Sequence, residues 1–389
     1  MLQSILLMLV LGLLSIPLTK KLSMPALIAY LIVGIIVGPH ALKLISPQVI
    51  AMGPDIKKIA LIIILIRAGL SLNMDDLRHT GISAGLMCVL PATVEILASL
   101  IFGPIFLGMT LMQSLMLGTV IAAVSPAVVV PRMVDMIDHQ KGTRQGIPQL
   151  ILAGASADDI YVLVLFSALL TMQASGHIDI GSLLAVPISI ALGWVVGKGV
   201  GIILSKQVVP MSWSVTLKCL WILAAGMGLM VLDTWGQPWF SGLVATIVMT
   251  MKIAKDHPTT TPRLKDQFNQ YWVLAEMFLF MFVGMDTNVA TALDFGWMPL
   301  VFIFVTSLFR MGGVYLALYP SNLTSSEKLF TMGAYLPKAT VQAAIGSIPL
   351  TLGFPQGALI LSVSVLEILV TAPLGALWID LTQDKLLQR

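Results

Sequence analysis

ILAGASADDIYVLVLFSALL, residues Ile151–Leu170, is an apolar run of bilayer-spanning length with two adjacent aspartates, Asp158 and Asp159, near its centre. A carboxylate at membrane depth costs on the order of 3 kcal/mol even on the most permissive insertion scale. Two of them side by side therefore predict a water-filled cavity, a nearby counter-charge and a function that uses the acids.

The rest of the chain is similarly apolar. Its 389 residues are 57% hydrophobic and 11% charged, with a mean hydropathy of +0.95, whereas a soluble domain carries roughly 25% charged residues. This composition predicts an all-α membrane protein. At roughly 20 residues per crossing, about thirteen transmembrane helices fit the chain and leave no room for a separate soluble domain.

Several other classes of protein are disfavoured. The net charge is +3 and the basic residues are dispersed, so we expect no nucleic-acid partner. The two cysteines, Cys88 and Cys219, lie in apolar segments, which favours small core residues over a disulfide framework or a metal cluster. Nucleotide-binding signatures are absent from the sequence, so we expect the driving energy to come from an ion gradient or the membrane potential.

The positive residues predict the topology. Met1–Lys21 carries its lysines after the apolar run, so we interpret it as a first transmembrane helix and not as a cleaved signal. With thirteen crossings, one side carries Lys20, Lys21, Arg78, Arg132, Lys141, Arg144, Lys206, Lys252, Lys255, Arg263, Lys265, Lys328, Lys385 and Arg389, and the other carries Lys43, Lys57 and Lys58. The asymmetry predicts an outside N-terminus and a cytoplasmic C-terminus.

Two apolar segments are interrupted in a similar way. The fifth reads GTVIAAVSPAVVVPRM around Pro126, and the twelfth reads GAYLPKATVQAAIGSIP around Pro337. Proline frees a backbone carbonyl, which is tolerated at membrane depth only where the chain lines a cavity or is covered by protein. Since the segments lie an odd number of crossings apart, they predict an inverted repeat whose two discontinuous helices cross near the midplane. By the same spacing, Glu367 corresponds to Asp158.

Further charges in apolar segments are candidate partners of the dyad. Arg310 lies close to mid-helix and keeps its proton, so we expect it to pair with one aspartate. Lys338 follows Pro337, where it can neutralise the carbonyl end of a half-helix or pair with a carboxylate. For Arg67 and Lys198 we favour a structural ion pair and a side chain that extends to the interface, respectively.

The two acids need not share a partner. Neighbouring residues on a helix point about 100° apart, so we assign Asp158 as the ion-paired member and Asp159 as the ion ligand and proton carrier. Ser125 and Thr340, at the two interruptions, can add oxygen ligands for a hard cation such as sodium or lithium. The pattern favours ion-coupled transport over enzyme activity.

Several motifs carry a resemblance to a known family. They are AVSPAVVVP (Ala123–Pro131), ILIRAGLSL (Ile64–Leu72), the aspartate pair, Arg310 and LPKATVQAAIGS (Leu336–Ser347). Together they resemble the bacterial sodium/proton antiporters of the NHA branch of the cation:proton antiporter superfamily. The resemblance implies exchange of protons for sodium or lithium by elevator-like alternating access, with Asp159 as the central site and no cofactor besides the transported ions.

The resemblance also implies an organisation. Residues 1–75 and 206–290 would form a dimer scaffold, residues 80–175 and 295–385 the transport core, and residues 180–205 a bridging helix. The expected partners are membrane lipid, a monovalent cation, protons and a second copy of the chain, in a bacterial inner membrane. Glu95 matches an acidic position of the family and is expected to pair across the core.

One departure bears on stoichiometry. Arg310 stands where the best-known bacterial members have a lysine, and an arginine cannot carry a proton. The exchange is then electroneutral unless Lys338 or the dyad supplies a second proton. A potassium/proton antiporter and a sodium-coupled symporter of an organic anion remain alternatives.

Overall fold

The computed structural model describes residues 1–21, 24–71, 81–174, 180–236, 239–288 and 296–387. Within these ranges all regular secondary structure is helical. Eight helical segments of the described chain are long and apolar enough to cross a membrane. The protein is therefore an all-α, multi-pass membrane protein, while the number of thirteen crossings stays a prediction. Arg78 and Arg389, which contribute to the predicted charge asymmetry, lie outside the described residues, as do the side chains of Lys20 and Lys21.

The helices follow one another with short connections. In chain order they are α1 (Leu2–Lys21), α2 (Ala26–Val37), α3 (Pro47–Ala51), α4 (Gly53–Ser71), α5 (Gly81–Met87), α6 (Leu90–Leu107), α7 (Leu111–Ile121), α8 (Pro126–Asp138), α9 (Ile147–Ala174), α10 (Ile180–Gln207), α11 (Val215–Gly236), α12 (Gly242–Asp256), α13 (Thr261–Asp286), α14 (Met298–Ala317), α15 (Ser325–Ala334), α16 (Thr340–Gly346), α17 (Ile348–Thr351) and α18 (Gly357–Leu386).

The chain divides into two compact units. The first combines Met1–Lys57, Leu77–Asp158 and Glu276–Arg389, and the second combines Lys58–Asp76 and Asp159–Ala275. The first unit contains the two interrupted helices, α7/α8 and α15/α16, together with α6, α14 and α18, which pack against them or against each other.

Both interruptions are present in the structure. Helix α7 begins with a capping box, in which Gln113 N donates to the Thr110 hydroxyl and Thr110 N donates to the Gln113 side chain. It ends at Ile121, and α8 begins at Pro126, a residue suited to a first helical turn because it has no N–H to leave unsatisfied. Between the two halves, residues 122–125 are not helical.

The second interruption is built in the same way. Helix α15 begins with a Thr324–Glu327 capping box and ends at Ala334, and α16 begins at Thr340. Pro337 lies in the non-helical stretch between them. The two prolines thus mark the breaks, as predicted, because each removes a backbone donor from an otherwise helical ladder.

Close helix packing surrounds the breaks. Helices α6 and α14 approach so closely that a Cβ on Gly313 would lie 2.8 Å from the Cα of Pro91. Small residues let membrane helices make this kind of backbone contact. The packing brings the first turns of α6 against the second half of α14, where Glu95 and Arg310 lie side by side.

The second unit also contains a close helix contact at a glycine. On α10, a Cβ on Gly197 would lie 2.3 Å from the carbonyl oxygen of Ala245 on α12. Arg67 Nε donates to the Asn269 side chain at 2.9 Å, and its guanidinium lies 5.0 Å from the Trp272 ring. These contacts with a polar side chain and an aromatic ring are consistent with the structural role expected for Arg67.

The remaining sequence expectations concern single residues. Lys198 lies 4.6 Å above the ring of Trp194 on its own helix. Cys88 and Cys219 are both buried, as expected for small core residues.

Candidate functional site

The two interruptions touch each other. The backbone N–H of Ser125, in the first break, donates to the carbonyl oxygen of Pro337, in the second, at 2.7 Å. Helix α18 supports this crossing, since a Cβ on Gly375 would lie 2.3 Å from the ring of Pro337. The backbone groups freed by the breaks therefore meet one another and the side chains around them, in a position covered by protein.

Asp158 binds the first break. It lies on α9 and is fully buried. Its Oδ2 atom accepts hydrogen bonds from Val124 N at 3.0 Å and from Arg310 Nη2 at 2.7 Å. A buried carboxylate is stable only with such charged and hydrogen-bonding partners, so this acid is held as an ion pair.

Arg310 distributes its donors over both breaks. Nε donates to the carbonyl oxygen of Tyr335 at 2.9 Å, and Nη1 donates to Glu95 Oε2 at 2.8 Å and to the carbonyl oxygen of Ala122. The guanidinium also lies 5.1 Å from the centre of the Tyr335 ring. The planar fork of arginine suits this arrangement, because it offers five donors in fixed directions.

Lys338 pairs with Glu95 instead of the dyad. Its Nζ donates to Glu95 Oε2 and to the carbonyl oxygen of Ile121, both at 2.6 Å. Both roles considered from the sequence are therefore combined in one side chain, which neutralises the carbonyl end of α7 and pairs with a carboxylate. Its backbone N–H donates to the hydroxyl of Thr371 on α18 at 3.1 Å.

Gln342 satisfies further backbone groups of the first break, although no specific role was predicted for it from the sequence. Its side-chain N–H groups donate to the carbonyl oxygens of Ala123 at 2.7 Å and Ile121 at 3.2 Å. Its carbonyl oxygen accepts from Ala339 N at 2.9 Å. One buried amide thus satisfies backbone groups of both interruptions. An uncharged polar residue three positions after the second break was the available signal.

Four charges form one continuous chain of contacts. Asp158 binds Arg310, Arg310 binds Glu95, and Glu95 binds Lys338. All four side chains are fully buried. Two acids and two bases carry no net formal charge, which is the arrangement that limits the cost of removing charges from water.

The remaining predicted site residues are Asp159, Ser125 and Thr340. Asp159 follows Asp158 on α9 and is 3% exposed. The Ser125 hydroxyl is buried in the first break and has no hydrogen-bond partner within the described ranges, and Thr340 is the first residue of α16. The roles of these three residues as cation ligands stay predictions.

Glu367 is a further buried acid. It lies on α18 and is fully buried, and neither of its carboxylate oxygens has a hydrogen-bond partner among the residues that the structure describes. Over the same ranges, no cluster of three or more His, Cys, Asp or Glu side chains is arranged to hold a metal ion. A monovalent cation that is carried across the membrane needs fewer acids, since one carboxylate balances its charge.

Comparisons with known proteins agree with this architecture. Residues 5–382 match the family described as "Sodium/hydrogen exchanger, transmembrane". Sodium/hydrogen exchanger 9B2 of Xenopus tropicalis is 31% identical over 347 residues, which cover 86% of this chain and 64% of that protein. Sodium/hydrogen exchanger 9B1 of Homo sapiens is 30% identical over 354 residues, which cover 86% of this chain and 67% of that protein.

A solved structure has the same fold. It is that of the sodium proton antiporter MjNhaP1 from Methanocaldococcus jannaschii at pH 8, with a TM-score of 0.82 over 98% of this chain and 97% of that one, at 21% sequence identity. The chain spans about two thirds of the length of its exchanger relatives. Because the family match extends over nearly the whole sequence, the chain belongs to the transmembrane sodium/hydrogen exchanger family.

Proposed function

We propose that the protein is a secondary antiporter that exchanges protons for sodium or lithium across the membrane. Three observations support the proposal: the family, the names of the relatives as sodium/hydrogen exchangers, and two adjacent buried aspartates of which Asp158 binds the first break. Intramembrane acids next to broken helices are typical of proteins that couple ion movements.

The observation that carries the assignment is the pairing of Asp158. Its contacts with Arg310 and Val124 N hold it as a carboxylate, since an arginine in such a pair does not give up its proton. Asp159 is then the member of the dyad that alternately binds a proton and a cation. Ser125 and Thr340, with backbone carbonyls of the breaks, are proposed to supply the remaining oxygen ligands.

The stoichiometry follows from the same contacts. Arg310 and Lys338 are both committed to buried acids, so neither is assigned a transported proton. Asp159 alone then carries one proton in one direction and one monovalent cation in the other. We therefore propose an electroneutral exchange.

The wider organisation is part of the proposal. We propose thirteen crossings arranged as an inverted repeat, with an outside N-terminus and a cytoplasmic C-terminus, in a bacterial inner membrane. Residues 80–175 and 295–385 would move as the core of an elevator, against a homodimeric scaffold of residues 1–75 and 206–290, with residues 180–205 as the bridge. The contact of the two breaks through Ser125 and Pro337 supports motion of the core as one body.

Transport in proteoliposomes loaded with a pH-sensitive dye tests the function. We expect sodium or lithium added outside to drive proton movement, and we expect Asp159→Asn to abolish it. Asp380→Asn is the matched control, because this aspartate pairs with Arg132 outside the buried network. Full sodium-dependent proton movement by Asp159→Asn would rule out the assigned site.

Parallel assays separate the alternatives. Proton movement driven by potassium but not by sodium or lithium would identify a potassium/proton antiporter. Sodium-dependent uptake of a labelled organic anion without proton countermovement would identify a symporter.

A further inference from the structure

Glu367 has no place in the exchange scheme derived so far. It is fully buried in α18, and its two carboxylate oxygens accept no hydrogen bond from any described residue. The charged groups that act on it are Lys338 from the second break, Glu95 from α6 and Arg310 from α14. It therefore lies beside the buried network without belonging to its chain of contacts.

The charge balance around Glu367 indicates whether this acid is protonated or ionised. The network of Asp158, Arg310, Glu95 and Lys338 is already neutral. An ionised Glu367 would add a net negative charge in a place where no described residue donates a hydrogen bond to it, and burying an unpaired carboxylate in this way is costly. A proton on Glu367 removes that cost.

Lys338 is positioned to serve as an alternative partner. Two of the three N–H donors of its ammonium group are used, by Glu95 and by the Ile121 carbonyl. If the Lys338 ammonium group moved away from Glu95, Glu95 would keep a cationic partner, because its Oε2 also accepts a hydrogen bond from Arg310. The backbone of Lys338 is attached to α18 next to Glu367, since its N–H donates to Thr371, one turn further along the helix.

We propose that Glu367 is a second proton-binding site, protonated while Lys338 pairs with Glu95 and ionised when Lys338 pairs with Glu367 instead. In the step from the first state to the second, the O–H bond of Glu367 breaks, the proton leaves to water, and the ammonium group of Lys338 becomes the counter-ion. This inference deepens the proposed exchange, on which its transport consequence rests. The proton site itself is independent of transport.

Infrared spectroscopy tests the site directly. In Asp159→Asn protein, whose dyad holds no exchangeable proton, glutamate-specific ¹³C labelling should shift the carbonyl band of a buried protonated acid. Adding Glu367→Gln should remove that band. Glu327→Gln is the matched control, because it makes the same change at a buried glutamate in the capping box of α15, where glutamine also fits.

The spectra have clear opposing outcomes. A protonated-glutamate band that survives Glu367→Gln, or that disappears in Glu327→Gln, would overturn the assignment. If the Glu367→Gln protein is not recovered, the labelled Asp159→Asn protein still tests the proposal. Absence of the shifted band would mean that Glu367 is ionised, which would overturn the proposal.

Transport tests the proposed switch. As pH rises, the apparent KM for sodium should fall over a wider pH range than Asp159 alone would give, because ionisation of Glu367 adds a second negative charge. In Glu367→Gln the KM should level off earlier, while exchange itself persists. If the apparent KM of Glu367→Gln depends on pH in the same way as that of the unmodified protein, the proposed switch between the two states of Glu367 is wrong. Absence of sodium-driven proton movement in the unmodified protein would instead refute the proposed function, and the spectra would still decide the proton site.

Discussion

Arg310 binds four buried acceptors, two of which are carboxylates. Its guanidinium lies between Asp158 and Glu95 and also binds the carbonyl oxygens of Tyr335 and Ala122. A buried ion pair adds little net stability by itself, because desolvation offsets the attraction. Removing one partner is a different matter, since it leaves the other charge buried and uncompensated.

Arg310→Gln should therefore lower stability strongly, by about 3–5 kcal/mol. The variant leaves Asp158 without its cation and leaves Glu95 with Lys338 alone. Thermal unfolding of the purified protein in detergent measures the effect as a fall in the melting temperature.

Arg132→Gln is the control for that experiment. Arg132 also binds an aspartate, Asp380, but at a position that is partly exposed. Partly exposed ion pairs contribute about 0–1 kcal/mol, so its melting temperature should change little. An equal fall in melting temperature for both variants would show that the buried ion pairs of Arg310 stabilise the protein no more than the partly exposed pair of Arg132.

Lys338→Met should be less damaging than Arg310→Gln. Glu95 keeps its contact with Arg310, and Asp158 keeps all its contacts, so neither of these two acids is left without a cation. We expect a smaller fall in melting temperature in the same assay. A larger fall than for Arg310→Gln would mean that Lys338, and not Arg310, is the main counter-charge.

The partners of these charges show what a single sequence can and cannot predict. That Asp158 needs a cation follows from its apolar surroundings, and Arg310 was a suitable candidate because of its position in mid-helix. The family resemblance implied that Glu95 pairs across the core, but it did not show that Glu95 binds both Arg310 and Lys338, which lie 215 and 243 positions away along the chain. Spacing along the chain carries no information about such contacts.

At the scale of helices, the crossing depends on close contact between the second break and α18. Gly375 faces Pro337 so closely that any side chain there would overlap the proline ring. The prolines made the breaks predictable, but the glycine that accommodates one of them has no signature in a sequence with 32 glycines.

Gly375→Ala should displace the second break and impair exchange. The new Cβ would lie 2.3 Å from Pro337 Cγ and 2.6 Å from its Cδ, so the backbone must move. Gly312→Ala on α14 is the matched control, because no atom of another described segment lies within 4 Å of its Cβ position. Its melting temperature should stay equal or rise, since alanine favours a helix over glycine by about 1 kcal/mol. Equal exchange rates for the two variants in proteoliposomes would contradict this account.

Gln342→Leu should loosen both breaks at once. It removes three hydrogen bonds and leaves the Ala339 N–H and the Ala123 carbonyl buried without that partner, at about 1–3 kcal/mol for each group. We expect a lower melting temperature and slower exchange. Gln270→Leu, at an exposed position on α13, should change neither by a comparable amount. Unaltered exchange by Gln342→Leu would mean that the breaks do not depend on this amide.

For the whole molecule, the apolar composition was enough to predict an all-α membrane protein, because the bilayer allows few other structures. The family match over residues 5–382 agrees with the motifs from which the resemblance was drawn. The protonation state of each buried acid was not predictable, since it depends on which acid contacts which cation in the folded chain.

The pairing of charges also predicts the electrical behaviour of the protein. If Asp159 alone exchanges one proton for one monovalent cation, each cycle moves no net charge, because Arg310 and Lys338 keep their protons in their ion pairs. Sodium jumps applied to proteoliposomes on a solid-supported membrane should then give no sustained current, while a pH dye reports proton movement in the same vesicles. Setting a membrane potential with potassium and valinomycin should leave the exchange rate unchanged. A sustained sodium-dependent current would show that a second proton moves in each cycle, and Glu367→Gln, in which that site is fixed in the neutral form, would then be expected to remove it.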